Sequence, residues 1–138
     1  MIALAGLAPL LQVYDMPEAV AFYRDLLGFE LVQHSPEIED DGRRYFHWCL
    51  LRRGSIELML NTAYDAGERP ARRDPARQAA HDDICLYFGC PDPDAAWRDL
   101  TAQGLAIDPP ATAPYGMRQL LLRDPDGYAI CLQSPVSG

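Results

Sequence analysis

Apolar and polar positions along this chain follow one pattern twice: a short strand, a helix with a glycine stop, then further strands. The first copy opens with an alternating run over residues 9–14. Asp15 stands at the expected N-cap, and Glu18 three residues on is placed to complete a capping box. Pro17 in the first turn costs no helical hydrogen bond. Val20, Tyr23 and Leu27 recur at helical spacing, joined by Phe22 and Leu26, and Gly28 is the expected C′ stop. A strand begins over residues 29–32. Two more are expected over 44–51 and 55–60, with the turn at Arg52-Arg53-Gly54.

The second copy repeats this order. Residues 84–88 read as a strand, and Pro91-Asp92-Pro93-Asp94 starts a helix through Trp97, Arg98 and Leu100. Gly104 stops it, and a strand is expected near residues 105–107. The alternating runs 117–123 and 128–133 then flank Asp124-Pro125-Asp126-Gly127. Proline presets φ there and glycine supplies a positive φ, so the pair reads as a hairpin. At an offset of 74 residues Tyr23-Arg24-Asp25-Leu26 falls on Trp97-Arg98-Asp99-Leu100. Identities are few, and the matching order of helix, stop and strands carries the repeat.

Between the copies, residues 63–82 lack periodicity and read as a linker or a functional flap. Arg69, Arg72, Arg73 and Arg77 alternate there with Asp65, Glu68 and Asp74. The two readings are a solvated linker and a flap that grips an anion.

Composition narrows the function. The 138 residues, 49% of them apolar, suit one domain with one core. No apolar run approaches the ~18–20 residues that span a bilayer. The N-terminal stretch lacks the basic region of a signal peptide, so a cytoplasmic location is expected. Cys49, Cys85, Cys90 and Cys131 form no Cys-x-x-Cys pair, which argues against a disulfide framework or a zinc knot. A net charge of −8 argues against nucleic acid and anionic membrane as partners, and favours a cationic or neutral ligand. All 12 basic residues are arginine, which removes Schiff-base, phosphate-loop and Ser-Lys chemistry. Absent lysine with abundant Ala, Arg and Pro points to a GC-rich bacterial genome.

The segment Val13-Tyr14-Asp15-Met16-Pro17-Glu18, running to Gly28-Phe29, and the closing Arg123-Asp124-Pro125-Asp126-Gly127-Tyr128-Ala129-Ile130-Cys131-Leu132-Gln133 together resemble the vicinal oxygen chelate superfamily. Its members are the glyoxalases, bleomycin-resistance proteins and dioxygenases, and the bleomycin-resistance-like branch is the nearest. The resemblance implies an α+β fold within a single domain spanning 1–138. Two tandem βαβββ units, 1–62 and 83–135, would form a U-shaped half-barrel cup with the helices outside. Many members dimerise, so a homodimer is implied.

The resemblance also implies four metal-ligand positions, one at each equivalent strand. They fall on Ala8, Glu57, Asp83 and Cys131. Alanine cannot ligate and cysteine stands where glutamate is usual, so no metal cofactor is expected. The alternative is one divalent ion such as Zn, Fe, Mn or Ni on a rearranged set: Glu57, Asp83 and Cys131 with His47 or His81.

Strand alternation supplies ligand-binding candidates. With Glu57 inward, Ser55 and Met59 follow. On the neighbouring strand Tyr45, His47 and Cys49 share one face and Phe46, Trp48 and Leu50 the other. Tyr45 and His47 are expected inward, with Trp48 the competing choice as a stacking platform, and His47 is open to a structural or a basic role. In Pro114-Tyr115-Gly116-Met117-Arg118, Tyr115 could stack on a planar ligand and Arg118 could pair with a carboxylate or with Glu57. The other reading is a rigid turn whose arginine bridges local carboxylates.

The leading functional expectation is a metal-independent homodimer that sequesters an antibiotic or aromatic metabolite, with Tyr45, His47, Trp48, Glu57, Met59, Tyr115, Arg118 and Cys131 lining the cavity. The alternative is a metal-dependent lyase, isomerase or dioxygenase. A third reading is a regulatory protein whose cup is vestigial.

Overall fold

Asp15 begins the first helix from an extended backbone, φ −133°, and its carboxylate accepts the Glu18 N–H at 3.0 Å. Among the described residues no bond returns from Glu18 to the cap. Its carboxylate instead receives Arg73 Nη2 at 2.7 Å, so the expected capping box is half built. Helix α1 (Met16–Ala21) continues as a π-turn over Phe22–Leu26. The segment stops at Gly28, φ +77°, where Phe29 N–H reaches back to the Tyr23 carbonyl at 3.0 Å. Arg53 Nη1 caps the Leu27 carbonyl at 2.6 Å. A Cβ at Gly28 would sit 3.2 Å from that same nitrogen.

The computed structural model describes residues 1–136; Ser137 and Gly138, the end of the expected domain, lie outside the described residues. The chain divides into two compact units, Met1–Arg73 and Asp74–Gly138. In the first, strands β1 (Leu10–Val13), β2 (Glu30–His34), β5 (Trp48–Arg53) and β6 (Ile56–Thr62) form one sheet in the order β1-β6-β5-β2. β1 runs parallel to β6, and the other pairs are antiparallel. Strands β3 (Ile38–Asp40) and β4 (Arg43–Tyr45) make a separate hairpin. The single strand expected over 44–51 is therefore two, broken at Phe46-His47. Leu11, Val13, Cys49, Leu51, Leu58 and Leu60 are buried on the sheet face that receives Met16, Ala19, Val20 and Tyr23. Cys49 Sγ lies 3.9 Å from Met16 Sδ across this contact.

The second unit contains more structure than the expected linker allows. Asp74 caps helix α2 (Pro75–Ala80) by accepting the Ala76 N–H at 3.0 Å, and a 3₁₀ turn follows over His81–Asp83. β7 (Cys85–Gly89) and helix α3 (Pro93–Ala102) come next, with Asp92 as the N-cap. The strand expected at 105–107 is absent. That stretch is held by Trp97 Nε1 on the Ile107 carbonyl at 3.1 Å, and Pro109-Pro110 cannot donate to a ladder. The strand forms just beyond, as β8 (Ala111–Thr112). β9 (Met117–Arg123) and β10 (Ala129–Pro135) complete a sheet in the order β7-β10-β9-β8. Each unit thus carries one open four-stranded sheet of the same strand order, giving α+β architecture from two βαβββ modules.

The closing turn is held from inside and outside. Asp124 Oδ1 accepts Asp126 N–H at 2.9 Å and Tyr128 N–H at 3.0 Å. Buried His81 stacks on Tyr128 at 4.0 Å and bonds the Asp126 carbonyl through Nδ1 at 2.6 Å. Gly127, φ +85°, lies so close to α2 that a Cβ there would meet the Gln78 carbonyl oxygen at 2.9 Å.

Among the described residues no helix is long and apolar enough to cross a membrane.

Candidate ligand-binding site

Each sheet buries one face under its own helix and leaves the other open. In the first unit the ladder pairs Trp48 with Asn61, Leu50 with Met59 and Arg52 with Glu57, and these residues share the open face. β1 adds Leu10 opposite Met59 and Gln12 opposite Asn61. Glu57 is committed to Arg52 at 3.0 Å, and Asn61 Nδ2 lies 3.5 Å from Gln12 Oε1. Glu57, Met59 and Trp48 are therefore placed where a ligand could reach them.

Tyr45 and His47 are not, which corrects the expectation that they point the same way as Glu57. The ladder pairs Arg53 with Ile56, so the turn is Gly54-Ser55 and not Arg52-Arg53-Gly54. A slip of one residue in register sends every side chain to the other face. Cys49 and Leu51 consequently lie under the helix. His47 Nδ1 bonds Thr62 Oγ1, on the edge of that covered side, and Ser55 is turn rather than strand. Tyr45 is buried, with its hydroxyl donating to Asp40 at 2.9 Å. Asp40 is held below the ordinary carboxylate range, first by the Gly67 N–H and then by Tyr45.

Two arginines of the inter-repeat segment, Arg69 and Arg73, are engaged within the first unit and are not held out to grip an anion. Arg69 pairs with Asp15 at 3.2 Å and Arg73 with Glu18 at 2.7 Å, and their guanidinium carbons lie 4.5 and 4.9 Å from the Tyr14 ring centre. Tyr14 in turn donates its hydroxyl to the Pro70 carbonyl at 2.6 Å. The segment is clasped onto the start of α1.

In the second unit the open face carries Cys85, Tyr87, Gln119, Leu121, Cys131 and Gln133, because the ladder pairs Cys131 with both Tyr87 and Leu121 and Gln133 with Gln119. Tyr87, Tyr115 and Leu121 are 59, 69 and 63% exposed, a degree unusual for side chains so large. Gln119 Nε2 donates to both Tyr115 Oη and Gln133 Oε1, each at 2.9 Å, which ties the Tyr115 loop to this face. Tyr87 is held above the ordinary phenol value by neighbouring Cys85, then Cys131 and Tyr115. Cys131 is fully buried between its neighbours, and burial, with Cys85 adding to it, raises its thiol pKa.

Arg118 points the other way, onto the helix-covered face. Its Nε and Nη2 grip Asp94 in the first turn of α3 at 3.1 and 2.8 Å, and Nη1 reaches Thr112 at 3.3 Å. It bridges a local carboxylate and is not presented to a ligand.

Among the described residues no three His, Cys, Asp or Glu side chains come together as a metal would need. His47 lies away from the Glu57 face, His81 is engaged by Asp126 and Tyr128, and Asp83 is exposed in a 3₁₀ turn. Ala8 offers no donor, and Cys131 stands in place of a carboxylate, so the four positions depart from a typical set of nitrogen and oxygen ligands.

Residues 5–132 match a known family model, the Glyoxalase/Bleomycin resistance protein/Dioxygenase superfamily. The chain belongs to that superfamily. Among solved structures it is similar to TnmS3, an antibiotic binding protein from Streptomyces sp. CB03234, at 25% identity and TM-score 0.68, covering 99% of this chain and 100% of that one. It is similar to the bleomycin-binding protein of bleomycin-producing Streptomyces verticillus, in complex with copper(II)-bleomycin, at 25% identity and TM-score 0.61, covering 96% and 97%. TioX from Micromonospora sp. ML1 shares the fold at TM-score 0.71 and 20% identity over 96% and 99%. Among curated proteins none matches it in sequence.

Proposed function

We propose that this superfamily member binds a small aromatic molecule without a metal and sequesters it as a homodimer in the cytoplasm. The observation that carries the reading is the make-up of the open faces: Trp48 beside an amide pair in one unit, Tyr87 and Tyr115 beside another in the second. Stacking surfaces with a few placed polar groups are the usual make-up of a small-molecule site. The likeness to an antibiotic-binding protein and a bleomycin-binding protein supports an antibiotic or related metabolite as the cargo. Exposed Ile2, Leu4 and Leu7, away from these strand faces, support assembly with a second copy.

The reading is tested by melting the full-length protein in excess chelator against a panel of aromatic antibiotics. A true cargo at one hundred times its Kd stabilises the fold by about 2.7 kcal/mol, a rise of several degrees. Stabilisation that appears only after a divalent metal is restored would move the protein to the metal-dependent branch.

A further inference from the structure

The open face of the second unit carries a charge pattern that selects among aromatic ligands. Its strand residues, from Cys85 and Tyr87 through Gln119 and Leu121 to Cys131 and Gln133, include no carboxylate. The cation on that face, Arg123, is held by Asp82 and by the Gly127 carbonyl at 3.1 Å. The −8 net charge of the chain therefore lies elsewhere. What the face offers is two exposed phenol rings, an apolar Leu121 and the Gln119–Gln133 amide pair. The Gln119 carbonyl oxygen and the Gln133 NH₂ have no partner among the described residues, so one acceptor and one donor stand side by side.

A carboxylate beside the rings would add to their weak attraction for a cation, and an uncommitted arginine would favour an anion, because desolvating an ion without a counter-charge is costly. Neither is present. An amide donor and acceptor beside aromatic rings suit carbonyl and hydroxyl groups on the rim of a flat ring system, which lose little on leaving water if both are matched.

We propose that this face takes an uncharged, planar aromatic ligand bearing carbonyl or hydroxyl groups, its ring on Tyr87 and Tyr115 and its polar edge on the Gln119–Gln133 pair. The proposal rests on the sequestration reading above and narrows its ligand to a neutral class.

Three fluorescent tricyclic probes of one skeleton test it on the intact protein: acridone, 9-aminoacridinium and acridone-4-carboxylate. Acridone is expected to bind at least tenfold tighter than either ion, with affinity unchanged between low and high salt. Tyr87→Ala, at an exposed position, is expected to weaken acridone tenfold or more, and Gln119→Leu several-fold. Tighter binding of a charged probe, sensitive to Tyr87→Ala, would overturn the neutral class while leaving sequestration standing. Failure of all three probes, with Tyr87→Ala converting a dimer to a monomer in sedimentation, would overturn both and make the face a seat for a second copy.

Discussion

Arg52 stands directly across the β5–β6 ladder from Glu57, their side chains 3.0 Å apart on the open face of the first sheet. This cross-strand pair marks the register that the Gly54-Ser55 turn sets for both strands. In that register Trp48, Leu50, Met59 and Asn61 lie outward and Cys49, Leu51, Leu58 and Leu60 lie beneath α1.

Trp48 and Tyr45 should therefore behave oppositely. Trp48→Ala is expected to weaken a ligand held on the first-unit face about tenfold or more, the scale of a lost aromatic anchor. Tyr45→Phe removes only the hydrogen bond to Asp40 and should cost about 1 kcal/mol of stability with ligand affinity unchanged. Urea denaturation and titration with an identified cargo, run on both variants, separate the two effects.

Arg118 is a fastener for α3, not a ligand contact. Arg118→Met should lower the melting temperature and leave affinity untouched. Because Arg118 holds the Asp94 carboxyl below its ordinary value, this stabilisation is present above the unfolded pKa and fades as pH falls through the folded one. The gap in melting temperature between parent and variant should accordingly narrow from about pH 4 downward. A loss of affinity without a loss of stability would return Arg118 to the binding surface.

Asp40 follows the same sign. Its depressed pKa comes from the Gly67 N–H and the Tyr45 hydroxyl, so Asp40→Asn should destabilise the protein at neutral pH and have little effect near pH 3. Melting curves across that range check the direction.

Gly127→Ala should be destabilising by about 1–3 kcal/mol, from a left-handed backbone and a Cβ driven against the Gln78 carbonyl. A shift of the urea midpoint at constant slope is the expected readout.

Much of the fold was legible because the punctuation is local. Asp15, Pro17 and Gly28 bound the first helix, Gly104 ends α3, and the Asp124–Gly127 turn closes the last hairpin, each through its own backbone geometry. The facing of β5 was not legible. It depends on whether two or three residues make the turn near Gly54, and Arg52-Arg53 reads equally well as turn or strand. Helix α2 was missed because its six residues bury nothing and show no apolar stripe; only the Asp74-Pro75 cap announces it. Tyr87, Gln119 and Gln133 escaped notice although alternation from Cys131 reaches all three through the ladder. Pairing partners, unlike periodicity, are not written in the strand itself.

Metal analysis of untagged protein tests the central claim most directly. The protein is incubated in turn with Zn, Mn, Fe and Ni, desalted, and compared with Glu57→Ala. The account predicts far less than one ion per chain, no difference between parent and variant, and cargo binding undiminished by chelator. About one ion per chain, lost in Glu57→Ala, would contradict it and place the protein with the metal-dependent members of its superfamily.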